Sequence, residues 1–343
     1  MSVGPLSAEA GLTALRAIAE PTRLRILMLL STGELTVKDL TQVLGQSQPR
    51  ISRHLKLMHD AGLLSRVQEG SWVYFRLTDS AGHAALLRDL LKQFAADDND
   101  YRRDRDRADS IRRQRFENAQ AFFADHAGQW DKLRALHADE AEVEAQICEL
   151  LGIVNGELLV DMGTGTGRVL ELLAGRFTRA IGIDTNQRML GYARARTQGP
   201  VFSHVQVRHG DICNLALQDG SADAVIMHQV LHYLADPRRA IAEAARILRP
   251  EGRLIVVDFA AHTVDRLRDE YAHQRLGFAD DQMTAWLKEC GLEVSIQKDL
   301  PPANAGVKEG LTVSLWLATR GAAGPVDDHT DGRADDQFLE IAR

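Results

Sequence analysis

Long apolar runs are missing from this chain of 343 residues. No stretch of about 18 apolar residues occurs, so a membrane span is not expected. The start, "MSVGPLSAEAGLTALRA", has no basic segment followed by an apolar block, which argues against a secretory signal and makes the cytoplasm the expected compartment. Cysteine is scarce as well: Cys148, Cys213 and Cys290 lie far apart and share no metal-ligand spacing. A disulfide framework or a zinc module is therefore excluded, no metal is expected, and the three thiols read as small buried hydrophobes. No internal repeat is visible. What is present, 45% apolar and 26% charged residues, is ordinary globular composition, and the length calls for two domains.

The net charge of −7 is unevenly spread. Residues 1–95 carry 11 Lys and Arg against 8 Asp and Glu, whereas the remainder carries 30 against 40. A basic first part on an acidic body predicts that only the first part faces a polyanion.

That first part reads as short helices followed by a hairpin. Two helical segments meet near Glu20-Pro21, where proline suits a first helical turn, and Leu24, Leu27, Met28 and Leu30 form an apolar stripe ended by Gly33. "LTVKDLTQVLG" is a short helix closed by Gly45, "SQPRISRHLKLMHDAG" is another closed by Gly62, and a further helix starts near Ser80. "LLSRVQEGSWVYFRLT" alternates around Glu69-Gly70 as strand, turn, strand. Residues 97–117 are dense in both charge signs, with six aspartates among the arginines, and read as a solvated helical connector. From residue 150 strands alternate with helices, starting at "ELLVDM", "RAIGID", "HVQVRH", "ADAVIMH", "RLIVVDF", "EVSIQK" and "LTVSLWLAT"; this pattern predicts a doubly wound, mainly parallel sheet. The Gly/Asp-rich residues 321–343 predict a disordered tail.

With Ser47 as N-cap and Pro49 in the first turn, Ile51, Leu55 and Met58 fall on one helical face. Gln48, Arg50, Arg53 and Lys56 project from the other sides, with Ser47 and Ser52 beside them. Arg and Gln early in a recognition helix can make bidentate contacts with guanine and adenine, and Lys56 sits further along, where phosphate lies. A glycine turn precedes this helix, as a helix-turn-helix needs. Arg66 and Arg76 flank the hairpin turn as candidate wing contacts to DNA. The segments "EPTRLRIL", "SRHLKLMHDAGLL" and "EGSWVYFRL" resemble the winged helix of ArsR-type bacterial repressors over residues 12–95. The resemblance implies a homodimer on an inverted-repeat operator in double-stranded DNA that is released when a ligand binds. Metal-sensing members carry paired cysteines where this chain has "ELTVKDL", and His83 with Asp89 do not make a metal site.

In "LLVDMGTGTGRVLELLA" a strand, a glycine-rich turn and a helix follow one another, with Gly163, Gly165 and Gly167 after Asp161. A dinucleotide fingerprint would want a small residue where Arg168 stands, and Asp161 would repel a pyrophosphate. The acid suits a cation without phosphate, S-adenosylmethionine. Asp184 ends the next strand, where it can accept from both ribose hydroxyls, and Asp211 with Ile212 can hold the adenine. This set resembles class I S-adenosylmethionine-dependent methyltransferases, with a seven-stranded Rossmann-like sheet, over residues 118–320. The look is nearest to ubiquinone-biosynthesis-like and arsenite-methyltransferase-like members. By position the resemblance implies Gly163, Gly165 and Gly167 at the methionine part, and a helical lid in which Phe123, Trp130 and His137 reach the pocket. His228 is a further cofactor candidate.

Polar groups that could serve methyl transfer follow the fourth strand: His228, Gln229, His232 and Tyr233, with His262 and His273 after the fifth. No "NPPY" signature is present, which argues against methylation of nucleic-acid amino groups, and the cysteines lack an arsenite pattern. The domains expected are 1–96 for DNA, 97–117 as connector and 118–320 for S-adenosylmethionine or S-adenosylhomocysteine. Two functions are compatible with them. One is a regulator whose operator affinity is tuned by the cofactor; the other is a working methyltransferase on a small molecule whose winged helix controls its own operon.

Overall fold

The computed structural model describes residues 6–69, 72–78, 80–94, 98–130, 139–152, 156–302 and 310–321. The Gly70 turn, His137 and residues 322–343 lie outside the described residues. In the N-terminal part, Ser7 caps α1 (Ala8–Ile18), and Glu20 caps α2 (Pro21–Leu30) by accepting the Arg23 amide at 2.9 Å. Strand β1 (Leu35–Thr36) leads into α3 (Val37–Leu44), whose start is a reciprocal capping box between Thr36 and Asp39 and whose end is a left-handed Gly45. Helix α4 (Gln48–Asp60) follows, then β2 (Leu64–Glu69), β3 (Trp72–Leu77) and α5 (Ala81–Lys92). The hairpin and the two-residue β1 form a small sheet in the order β1-β3-β2.

Ile51, Leu55 and Met58 of α4 are all at most 1% exposed. Their burial, about 1.5–3 kcal/mol each, is what fixes the helix against α2 and α3. Helix α2 departs from its expected stripe: Ile26, Leu27, Leu29 and Leu30 are buried, while Leu24 and Met28 are only half-buried. The reason is that α2 packs on more than one side, because α6 lies along it.

Helix α6 (Asn99–His126) runs unbroken for 28 residues, about 42 Å at 1.5 Å per residue, and passes through the 117/118 boundary expected from the sequence. It is not simply a solvated connector. Asp104, 2% exposed, receives the Arg25 guanidinium on both oxygens at 2.6 Å, and Arg115 reaches the buried Asp39 at 2.5 Å. At its far end the Gln120 amide donates to the Thr185 hydroxyl at 2.8 Å, and the Asn186 side-chain amide donates to the Gln120 carbonyl and side-chain oxygens. One helix is thus tied to the N-terminal domain and to the rim of the second sheet.

The second sheet has seven strands: β4 (Gly156–Met162), β5 (Phe177–Asp184), β6 (Val205–His209), β7 (Ala222–His228), β8 (Leu248–Phe259), β9 (Leu292–Leu300) and β10 (Val313–Arg320). Their order is β6-β5-β4-β7-β8-β10-β9. All pairings are parallel except those of β10, which runs antiparallel to both β8 and β9. All seven strand segments read from the sequence are strands here. Helices cover both faces, and two apolar clusters sit on opposite sides of the sheet. The order reverses at β4, so a crevice opens at the carboxyl ends of β4 and its neighbours. No helix among the described residues is long and apolar enough to cross a membrane.

The two domains are docked. Arg275, 1% exposed, pairs with Glu34 (8% exposed by side chain) at 2.8 Å. The Arg275 guanidinium lies 4.2 Å from the centroid of the Tyr74 ring, and the Tyr74 hydroxyl donates to the Gln274 carbonyl at 2.9 Å.

Candidate cofactor site and nucleic-acid interface

After β4, whose core positions are buried, the chain turns through Gly163, Gly165 and Gly167 with φ of +82°, +52° and +81°. The three glycines do different work. A Cβ on Gly163 would lie 2.4 Å from Val230 Cγ2, so the loop is packed tightly onto the segment after β7. A Cβ on Gly167 would meet the Ala193 backbone at 2.9 Å, and Gly167 does not line the cavity; it serves the packing of the helix Gln187–Arg196. Only at Gly165 is the space open, the nearest atom being Trp130 Nε1 at 3.7 Å. Gly163→Ala is accordingly expected to lower stability by about 1–3 kcal/mol through overpacking and backbone strain. Denaturant unfolding checks it, and a companion Val230→Ala is expected to recover only the steric part.

The loop is held to β5 from two directions. Gly163 and Thr164 donate their amides to the Ile183 carbonyl, and the Gly165 amide donates to Asp184 Oδ2 at 2.9 Å. Asp184 also accepts the Asn186 amide at 2.8 Å on its other oxygen. Burial pushes its carboxyl above the ordinary value of 3.8, against the pull of the Asn186, Gly165 and Thr185 amides. Asp161, 1% exposed, accepts the Thr164 hydroxyl at 2.6 Å. Asp211 is exposed and accepts the Cys213 amide at 2.8 Å, with Ile212 buried beside it.

Asp161, Gly163, Gly165, Asp184, Asp211, Ile212 and His228 all line one cavity of about 550 Å³. Phe123 and Trp130 line it too, their rings in edge contact with centroids 5.4 Å apart, and Tyr233 packs edge-on to Phe123 at 4.6 Å. Three carboxylates around a glycine loop would repel a pyrophosphate and accept hydroxyls and a cation, so the donor set fits S-adenosylmethionine. Among the described residues no group of three His, Cys, Asp or Glu could hold a metal ion.

The candidates after the strands separate. His228 is buried and lines the cavity, as does Tyr233, whose phenol is pushed up by burial and by the nearby Asp258 carboxylate, so it is held as a neutral donor. His232 does not line the cavity. Its Nδ1 lies 2.7 Å from Asp258 Oδ1, both groups being at most 1% exposed, and Asp258 Oδ2 accepts the Leu231 amide at 3.0 Å. That pair organises the turn after β7. His273 stacks on Phe259 in the interior, and His262 faces a separate groove.

Gln229 is the residue the sequence underrated. It is 7% exposed, has the rare φ of +51° for a side-chain-bearing residue, and lines the cavity. Its Nε2 is buried without a hydrogen-bond partner among the described residues. A strained backbone and an orphaned donor in one place are features of ligand sites. Further lining that the sequence did not suggest comes from the N-terminal domain and α6, including Leu35, Tyr74 and Arg112, and from the C-terminal domain, including Asp236 and Arg239.

In the N-terminal domain, Ser47 is the N-cap of α4, without a side-chain capping bond, and Ser47, Gln48, Arg50, Ser52, Arg53 and Lys56 are all exposed. Lys56 pairs with Asp60 at 2.9 Å. Arg66 and Arg76 are placed differently from the rest: both line a groove of about 640 Å³ against the C-terminal domain, with His262, Asp281 and Trp286 on its other wall. Arg76 is half-buried there. Arg66 stays exposed at that groove, so of the two only Arg76 is drawn in against the second domain.

Residues 20–66 match the family described as bacterial regulatory protein, arsR family, and residues 160–256 match the one described as methyltransferase domain. The chain is 52% identical over 64 residues to the arsenical resistance operon repressor of Escherichia coli, covering 18% of this chain and 55% of that protein. It is 36% identical over 115 residues to a demethylmenaquinone methyltransferase of Tropheryma whipplei, covering 33% of this chain and 46% of that enzyme. It is 44% identical over 115 residues to a 37.1 kDa protein in transposon TN4556 of Streptomyces fradiae, covering 32% of this chain and 33% of that one. The chain thus spans between a third and just over half the length of these relatives.

Proposed function

We propose that this chain, which joins an arsR-family helix-turn-helix domain to a methyltransferase domain, is a transcriptional regulator that reads operator DNA with α4 and binds S-adenosylmethionine or S-adenosylhomocysteine in the C-terminal cavity. The bound cofactor sets its affinity for DNA. In this reading residues 1–96 are the winged DNA-binding unit, 97–117 the connector and 118–320 the cofactor unit. The observation that carries the reading is α6. At one end it holds α2 and α3 through Asp104 and Arg115; at the other, Gln120 holds Asn186, whose own amide donates to Asp184. A change at the Asp184 carboxylate is therefore two hydrogen bonds from the helix that carries the DNA-binding unit.

DNA contact is assigned to Ser47, Gln48, Arg50, Ser52, Arg53, Lys56 and the exposed hairpin residue Arg66, and the half-buried Arg76 is left out of it. A homodimer on an inverted repeat would place two α4 helices in successive major grooves, about 34–36 Å apart. Arg50→Ala is expected to cost about 1–3 kcal/mol of operator binding and to relax base preference at one position. Anisotropy titrations against base-substituted operators check this, and unchanged affinity removes Arg50 from the reading set.

When bound, the cofactor supplies an activated methyl group on a sulfonium. This chain's part is to accept the ribose hydroxyls at Asp184, to hold the adenine at Asp211 and Ile212, and to cover the loop with Trp130. Retained methyl transfer to a small molecule is favoured by one observation, a cavity that continues beyond the glycine loop to Gln229 and the N-terminal domain. The test is fluorescence-anisotropy binding to DNA upstream of its own gene at fixed salt, without ligand, with S-adenosylmethionine and with S-adenosylhomocysteine. The expected result is an affinity that differs between the two ligands. By linkage, a tenfold effect on DNA, about 1.4 kcal/mol, must appear equally in cofactor affinity. No shift, with cofactor binding seen by calorimetry, overturns the regulatory part of the reading.

A further inference from the structure

The cavity does not end at the cofactor residues. Its lining continues along α6 through Phe116 and Arg113 and onto Leu35 and Tyr74 of the N-terminal sheet. We infer that this continuation is a second binding site, built jointly by the two domains, for a small apolar molecule that carries an anionic group. The inference rests on the cofactor reading of the glycine-loop end.

Three observations carry it. Phe116 is a large aromatic left 47% exposed on the wall of a cavity, and Leu35, Leu234 and the Tyr74 ring supply further apolar lining. The arginines divide into two sets. Arg112, Arg115 and Arg275 are engaged by Asp109, Asp39 and Glu34, whereas Arg113 and Arg239 are exposed, line the cavity and make no ion pair among the described residues. Of the carboxylates on this part of the lining, Glu34 and Asp109 are taken by those arginines, which leaves Asp236, and Asp211 at the adenine end, beside the two free guanidiniums, with Arg113 set on α6. Arg presents a planar fork suited to a carboxylate or sulfonate. Finally, Gln229 offers a buried, unpartnered donor to the same cavity, which an oxygen acceptor on the ligand would satisfy. Because its walls come from both domains, a ligand here binds best when the domains are docked. Occupancy of this site is coupled to the position of the DNA-binding unit.

The probe is 8-anilinonaphthalene-1-sulfonate, an aromatic anion that fluoresces in apolar surroundings, titrated into the full chain with saturating S-adenosylhomocysteine. The expected result is one saturable site, weakened at least fivefold in Arg113→Ala/Arg239→Ala and in Phe116→Ser. Arg179→Ala, an exposed arginine remote from the cavity lining, should leave it unchanged. Thr32→Glu, which places an anion on the N-terminal wall, should also weaken it severalfold. The uncharged N-phenyl-1-naphthylamine should bind with no dependence on the two arginines. Equal affinity in the wild type and the double arginine variant overturns the anionic site, and insensitivity to Thr32→Glu overturns its two-domain construction. Complete displacement of the dye by S-adenosylhomocysteine overturns the existence of a second site. Calorimetry of S-adenosylhomocysteine alone reads the cofactor assignment separately, so its failure cannot be mistaken for failure of the anionic site.

Discussion

Arg275→Ala should destabilise the docked arrangement by about 3–5 kcal/mol, the cost of leaving one partner of a buried ion pair uncompensated. The Glu34 carboxylate that pairs with Arg275 at 2.8 Å is nearly as inaccessible as the guanidinium itself. Without Arg275 it is left unpaired in the interface unless water enters. The Tyr74 ring also loses the cation stacked on it at 4.2 Å. Denaturant unfolding should resolve an early transition in the variant, as the N-terminal domain separates before the seven-stranded sheet melts. Replacing both partners by apolar residues, Arg275→Met with Glu34→Leu, is expected to recover most of the loss, since a buried pair contributes little beyond an apolar contact of the same shape. A loss below about 1 kcal/mol in the single variant would show that water already reaches the pair.

The second large effect is expected at Asp184. Two charge-assisted hydrogen bonds from the ribose, at about 1.5–3 kcal/mol each, make Asp184→Ala weaken cofactor binding by a factor on the order of a hundred or more. The Gly165 amide loses its acceptor in the same variant, so the loop that faces the ligand is loosened as well. DNA affinity without cofactor should be little changed, because Asn186 keeps its hydrogen bonds to Gln120 of α6 when Asp184 is removed. The carboxyl also predicts a pH dependence. In the free protein burial raises its pKa above 3.8, while the complex needs the carboxylate as a pure acceptor. The free form therefore holds more protons than the complex as the pH falls through that raised value. Affinity should be level near neutrality and should decline on acidification, starting at a higher pH than an ordinary aspartate would set. Calorimetric titration across pH checks this, and Asp184→Asn should lose the acidic limb. Wild-type affinity in Asp184→Ala would remove the residue from the cofactor site.

Local patterning carried the reading far in some places. Ile51, Leu55 and Met58 were legible as a core face because their spacing is that of a helix, and all three are buried. The seven strands were legible because each is a short apolar run bounded by turn residues. Asp161, Asp184 and Asp211 were legible because acids at successive strand ends meet at the switch point of a doubly wound sheet. The placements that spacing did not reveal share a different cause. Gly167 sits in the same motif as Gly165, yet its hydrogen faces a helix rather than a ligand, and spacing does not say which. His232 carries the chemistry of a base but is claimed by Asp258, 26 residues on. Arg66 and Arg76 look like wing residues, and their neighbours across the groove come from residues 261–286.

The sequence alone determined the helix-turn-helix and the strand–helix alternation, because each rests on patterning between residues a few positions apart. Tertiary structure alone decided that α6 is one continuous helix docked at both ends, that Glu34 and Arg275 meet in a buried pair, and that the cavity beside the glycine loop extends to the N-terminal domain. Those features depend on contacts between residues scores to hundreds of positions apart. Nothing in the chain near Glu34 records that Arg275 will be buried against it; only the packing of the two domains brings the charges together.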